Sequence, residues 1–200
     1  MTGDQSANRA DVLITGGREG RRRVPRFLAP VLCAVVLVAY GAVTLDRDSR
    51  HHEFKALLGA TINGQATAAH ADATLESTRQ YTMPLLGSAQ ANVRAGLEQL
   101  IDQSATQGVA QVRATRAAVA STSVLPWHTA LHKAKAAELA YLDEWAAYLD
   151  AVAHGADTGT IPTTVLQAKQ TGAATALRDA APDHKASLAI PSSLAISSSL

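Results

Sequence analysis

Residues Phe27 to Leu45 read FLAPVLCAVVLVAYGAVTL, nineteen positions without a charged side chain. A helix of this length spans about 28 Å at 1.5 Å per residue, against about 30 Å for the hydrocarbon core of a bilayer. The stretch is expected to be a transmembrane helix, and no second run in the chain resembles it. It sets the organisation of everything around it. Residues 1–26 form a basic lead, 27–45 the span, 46–181 a helical domain, and 182–200 a low-complexity tail.

Charge is distributed unevenly about that span. Residues 1–26 hold six Arg and three acids, whereas residues 46–200 hold twelve Lys or Arg and fourteen acids. Arg18, Arg21, Arg22, Arg23 and Arg26 crowd the entrance, a pattern that retains the N-terminus on the cytoplasmic side. The same cluster suits anionic lipid at the cytoplasmic leaflet. The chain is therefore expected in the plasma membrane as a single-pass protein with its C-terminal domain outside the cytoplasm. A cleaved signal peptide competes with retention, with Ala39 and Gly41 as small residues before a cut. The apolar run is longer than an ordinary signal core, which favours retention. The near-neutral distal part argues against nucleic acid as a partner, since phosphate binding needs a basic face.

The one cysteine, Cys33, lies inside the apolar run, so no intramolecular disulfide can form. Val31 and Leu32 precede it where a lipidation signal needs small residues, and Cys33 reads as an apolar filler. Upstream, residues 1–17 are polar and expected to be disordered. DVLITGGREG, Asp11 to Gly20, has the look of a strand entering a phosphate-binding turn. The required helix is replaced by the Arg cluster, Pro25 and Pro30, so a nucleotide fold is excluded.

Beyond the span, alanine, leucine, glutamine and glutamate dominate, no hairpin signal occurs, and the fold class is all-α. The first segment, about Arg50 to Tyr81, carries Phe54, Leu58, Ile62, Gln65, Ala69 and Leu75 at helical steps. Pro84 is expected in the first turn of a second helix running to Ser121, although a kinked continuous helix is an alternative. That second helix places Leu86, Ala89, Val93, Leu97, Leu100, Ser104, Gly108, Val112 and Val119 on one face. A third helix, from Pro126 to about His154, has Leu131, Ala134, Leu142, Trp145, Leu149 and Val152 inward. A loop at 155–161 leads to a fourth helix opened by Pro162 and lined by Val165, Leu166, Ala173, Leu177 and Ala180. Pro182 ends it, and the serine-rich tail is expected to be disordered. These parts make an up-and-down bundle of about four helices. Its alanine-rich core leaves room for self-association or a protein partner, with Tyr141, Trp145 and Tyr148 as the expected partner face.

Few residues offer chemistry. His128 and His132 share a helix face at i and i+4, a spacing able to hold a metal. Thr129 replaces the glutamate of the zinc-hydrolase pattern, and a third ligand would have to come from His51, His52, His70 or Glu138. The default is no metal. His51-His52 could titrate near neutrality but reads as a solvated linker pair. Asp143 and Glu144 point about 100° apart and suit solvation better than acid–base work. No catalytic residue, cofactor or metal site is assigned, and no enzymatic activity is expected.

The stretches TMPLL (82–86), VLPWH (124–128) and AELAYLDEWAAYLDAV (137–152), with the basic lead and single span, resemble uncharacterised single-pass membrane proteins of actinobacterial type. The resemblance implies no activity and carries no site residues. The functional expectation is a membrane-anchored interaction, scaffold or accessory module. The alternative is a ligand-sensing bundle that signals through a partner protein.

Overall fold

The computed structural model describes residues 28–155 and 163–191, with the helical backbone alone described for 28–32. Every regular element among them is a helix. Contacts divide the chain into two units, one ending at Ala42 and the other beginning at Val43.

Helix α1 covers Leu28–Leu86, 59 residues. Threonines along it are tolerated because their hydroxyls donate to carbonyls one turn back, Thr67 to Asn63, Thr74 to His70, Thr78 to Thr74 and Thr82 to Thr78. Pro84 lies in the last turn of α1, which corrects its expected place at the start of the next helix. A proline there forfeits one backbone bond close to a terminus, where few remain to lose. The helix stops at Gly87-Ser88. Arg94 Nη2 reaches back to the Leu86 carbonyl at 3.1 Å and satisfies a terminal acceptor.

Of the expected membrane span, Phe27 lies outside the described residues. The uncharged positions with described side chains, Cys33–Leu45, amount to 13 residues, or about 20 Å of helix. No helix among the described residues is long and apolar enough to cross a membrane. Val35, Val36, Leu37, Val38 and Tyr40 are all exposed, as are Val43 and Leu45.

Among the described residues, four long helices build the bundle of the second unit: α1 from Val43, α2 (Ala91–Ser121), α3 (Thr129–Ala153) and α4 (Thr163–Ala180). Thr78 meets Ser104 while Gly64 meets Thr115, so α1 and α2 run antiparallel. Arg113 pairs with Asp150 and Arg116 with Asp143, so α2 and α3 do too. Arg50 reaches the Ala180 carbonyl at the far end of α4, and α1 and α4 are likewise antiparallel. Gln65 meets Glu138 as Glu53 meets His128, so α1 and α3 lie parallel across the bundle. The helices alternate up and down.

The core contains Phe54, Leu57, Leu75, Val112, Leu131, Leu142, Leu149 and Leu177, all 2% exposed or less. Removing a side chain of this size from water contributes about 1.5–3 kcal/mol. Glycine sets the helix spacing at two places. A Cβ on Gly64 would lie 3.2 Å from Glu138 Oε1, and one on Gly108 3.1 Å from Leu149 Cδ1 and 3.3 Å from Ala71 Cβ. Two residues past the end of α3 lies Gly155, whose φ of 79° is the left-handed conformation that favours glycine.

Two stripes are shifted from expectation. On α1, Leu57, Thr61 and Ala68 are buried, whereas Ile62 and Ala69 face outward. On α2 the inward face begins only at Ala105, and Val93 and Leu100 are half exposed. The α3 stripe is buried as read. The tail expected to be disordered is corrected for residues 182–191. Asp183 caps a short helix, α5 (His184–Leu188), by accepting from the Ala186 backbone N–H at 2.8 Å. Ile190 then returns to the core. Residues 1–26, 156–162 and 192–200, and the readings made on them, lie outside the described residues.

Candidate functional site

The connection between α2 and α3, Thr122–His128, is held from both sides. Lys135 Nζ donates to the carbonyls of Ala120 and Thr122 at 2.6 and 2.8 Å, which closes the C-terminus of α2. His132 Nε2 bonds the Leu125 carbonyl at 3.1 Å. From α1, Glu53 Oε1 accepts the Leu125 backbone N–H at 3.2 Å. Asp46 Oδ1 accepts the Trp127 indole N–H at 2.7 Å.

His128 lies at the centre of this arrangement, with its side chain 4% exposed. Its Nδ1 is 2.6 Å from Glu53 Oε2 and its Nε2 is 3.2 Å from Asp46 Oδ1. Asp46 and Glu53 are seven residues apart, two turns of α1, and so present their carboxylates on one helix face. A neutral imidazole has a single N–H, which would leave one carboxylate facing a ring lone pair; the protonated ring satisfies both. The hydrogen bond to Glu53 raises the His128 pKa above 6.5, and the bond to Asp46 adds to it against the effect of burial. Asp46 is held low in turn, first by Trp127 and then by His128. The Trp127 ring, largely exposed, lies edge-on to the imidazole with centroids 6.0 Å apart.

This arrangement suits a protonated imidazole and ties α3 to α1. With both ring nitrogens engaged, His128 has no free site for substrate proton transfer or metal ligation. His132 is directed to a backbone carbonyl, so the expected i, i+4 pair does not converge on a common point. Among the described residues no group of three His, Cys, Asp or Glu is arranged to hold a metal ion.

A second polar cluster lies in the middle of the core. Glu138 is 1% exposed and accepts a hydrogen bond from Gln65 Nε2 at 3.3 Å. Burial pushes its carboxyl up to about 7, the Gln65 bond acting the other way. Gln65 Oε1 and Glu138 Oε1 are buried without a hydrogen-bond partner.

The remaining sequence-named residues fall as follows. Arg18, Arg21, Arg22, Arg23 and Arg26 lie outside the described residues. Tyr141 and Trp145, expected on a partner face, are 4% and 7% exposed and belong to the core, which corrects that reading. Tyr148 is half buried and meets Trp145 edge-on, centroids 5.4 Å apart. The aromatics are drawn inward because an alanine-rich bundle has few other large side chains to fill its centre. Asp143 pairs with Arg116, its Oδ2 accepting from Nη2 at 3.0 Å. His51 lies 3.5 Å from Asp183.

What the structure leaves outside is a different apolar set. Tyr81, Met83, Leu85, Val93 and Leu100, around the turn from α1 to α2, are all at least half exposed, Tyr81 at 79%. Sequence reading had placed Val93 and Leu100 in the core, and no motif separates them from the buried positions further along α2.

No family model, curated protein or solved structure matches this chain.

Proposed function

We propose that this chain is a membrane-anchored helical module without enzymatic activity, and that it works outside the cytoplasm by contact with another protein. The anchor is the uncharged run Phe27–Leu45. Its N-terminal basic cluster and near-neutral distal part set the orientation by the positive-inside rule. Support for the anchor comes from helix α1, in which Val35, Val36, Leu37, Val38 and Tyr40 are exposed at successive positions and so on every side. A helix apolar all round suits lipid or a protein interior.

The observation that carries the contact reading is the exposed apolar group at the turn from α1 to α2. Tyr81, Met83, Leu85, Val93 and Leu100 remain outside while the bundle draws Tyr141 and Trp145 inward. Tyr81 is 36 residues beyond Leu45 on the same helix, about 54 Å along its axis. The proton held at His128 belongs to fastening the bundle together rather than to turnover.

A photo-crosslinking side chain placed at Met83 or Leu100 in the full chain, in intact cells, tests the contact. A discrete adduct from these two positions, missing when the probe is at exposed Gln111 on the same helix as Leu100, is the expected result. Equal labelling from all three positions, or none, overturns the proposal that this end is the contact surface.

A further inference from the structure

Among the described residues, Glu138 and His128 are the only acid and base that are buried. His128 has two carboxylates; Glu138 has one hydrogen bond, from the Gln65 amide. The second oxygen of the acid and the oxygen of the amide are both enclosed and unpartnered. An ionised carboxylate taken from water with so little compensation neutralises instead.

One proton on Glu138 Oε1 satisfies both atoms. The amide N–H of Gln65 already donates to Glu138 Oε2 at 3.3 Å, so an acid O–H turned toward Gln65 Oε1 makes the pair reciprocal. We propose that Glu138 is carried as a neutral acid and that this shared proton makes the middle of the α1–α3 joint a pH-sensitive latch.

Among the described residues no cation acts on Glu138 to favour its charged form. From α1 come Gln65 and Gly64, where a Cβ would crowd Glu138 Oε1 at 3.2 Å. From α2 comes Thr115, whose hydroxyl donates to the Gln111 carbonyl. The other buried α2 positions, Ala105, Gly108, Val109, Val112 and Val119, are apolar. From α4 the buried positions are Leu166, Ala173, Ala174, Leu177 and Ala180. On α3 itself Tyr141 is the titratable neighbour, its hydroxyl pushed up first by burial and further by Glu138. Lys135 is engaged with the Ala120 and Thr122 carbonyls, and Arg116 with Asp143.

The carboxyl of Glu138 titrates at 4.5 when free and near 7 in the bundle. The folded state therefore holds the proton more tightly than the unfolded chain. Its stabilisation is complete below about pH 4.5, is lost as pH climbs to about 7, and is constant above that. His128 loses its own contribution as pH rises beyond 6.5, so the two sites act in the same direction and must be separated by substitution.

Glu138→Gln separates them, because the second amide keeps the shape and can donate to Gln65 Oε1 with no titration. Unfolding of the full chain is followed in detergent from about pH 4 to about pH 8 for both proteins. The folding constant of the parent should fall relative to E138Q by up to tenfold per pH unit across the window from about 4.5 to about 7, then run parallel. Parallel profiles throughout overturn the latch. A second readout does not depend on E138Q. In an Asp72→Asn chain, removing the other acid that burial holds high, the infrared carbonyl band of a protonated carboxylic acid should persist at about pH 6 and fade by about pH 8. Absence of that band at pH 6 overturns the neutral acid.

Discussion

The two ends of the bundle are built differently. At the Asp46 end, the loop from α2 to α3 is tied by Glu53, Asp46, His132 and Lys135, each bonded to a backbone group or ring nitrogen of the loop or its flanks. At the Tyr81 end, the turn from α1 to α2 is closed by Arg94 and Ser88, and the apolar side chains around it face outward. The first end fastens helices of this chain to one another. The second leaves surface unspent. Local stability should therefore decline from the Asp46 end to the Tyr81 end, as expected where buried contacts thin out.

Substitutions sharpen that contrast in graded steps. The largest loss is expected for Leu149→Ala, a fully buried side chain against Gly108, at about 3–4 kcal/mol in chemical denaturation. A loss under 1 kcal/mol would mean the centre is loosely packed and the contrast is false. His128→Asn removes the link between Glu53 and Asp46 and should cost about 2 kcal/mol. Because the folded pKa of His128 lies above 6.5, its contribution is whole below that pH and is lost as pH rises through the folded value. The measured cost should accordingly shrink as pH rises above 6.5; a cost that grows with pH would contradict the charge assigned to the ring. Gly108→Ala forces a methyl toward Leu149 and Ala71 and should cost about 1 kcal/mol. Gly96→Ala, on the same helix with open space around it, should instead stabilise by about 0.5–1 kcal/mol. Leu100→Ser, at the Tyr81 end, should leave stability within about 0.5 kcal/mol while abolishing any crosslink formed there.

Much of the helical framework was legible because it rests on local signals. The α3 stripe of Leu131, Ala134, Leu142, Trp145, Leu149 and Val152 is regular enough to be read directly, and all six are buried. The places where reading failed are tertiary. Ile62 and Leu57 are equally apolar, and only the positions of α2 and α3 decide which is covered. Pro84 and Pro126 signal helix boundaries to within a turn or so: α1 runs two residues past Pro84, and α3 starts three after Pro126. The tail appeared featureless because a single Asp183 cap and one buried Ile190 are too little to stand out among serines.

The His128 site was hidden for a related reason. Asp46 and Glu53 lie more than seventy residues from the imidazole they hold, and their i, i+7 spacing is common on any charged helix. In hindsight the signal was a pair of acids two turns apart on a helix otherwise expected to leave a membrane. Tyr141 misled in the opposite direction, and Trp145 was read both as inward and as part of a partner face. Aromatics concentrated on one helix suit a partner surface and a core equally, and only the amount of other bulky material in the bundle decides between them.

Membrane attachment with the bundle outside is the premise on which the functional reading stands. Protease applied to intact cells, followed by alkaline extraction of their membranes, measures both parts together. The account predicts that the full chain stays with the membrane through extraction and that its C-terminal part is cut from outside. Recovery of the intact, protected chain in the soluble fraction would contradict it.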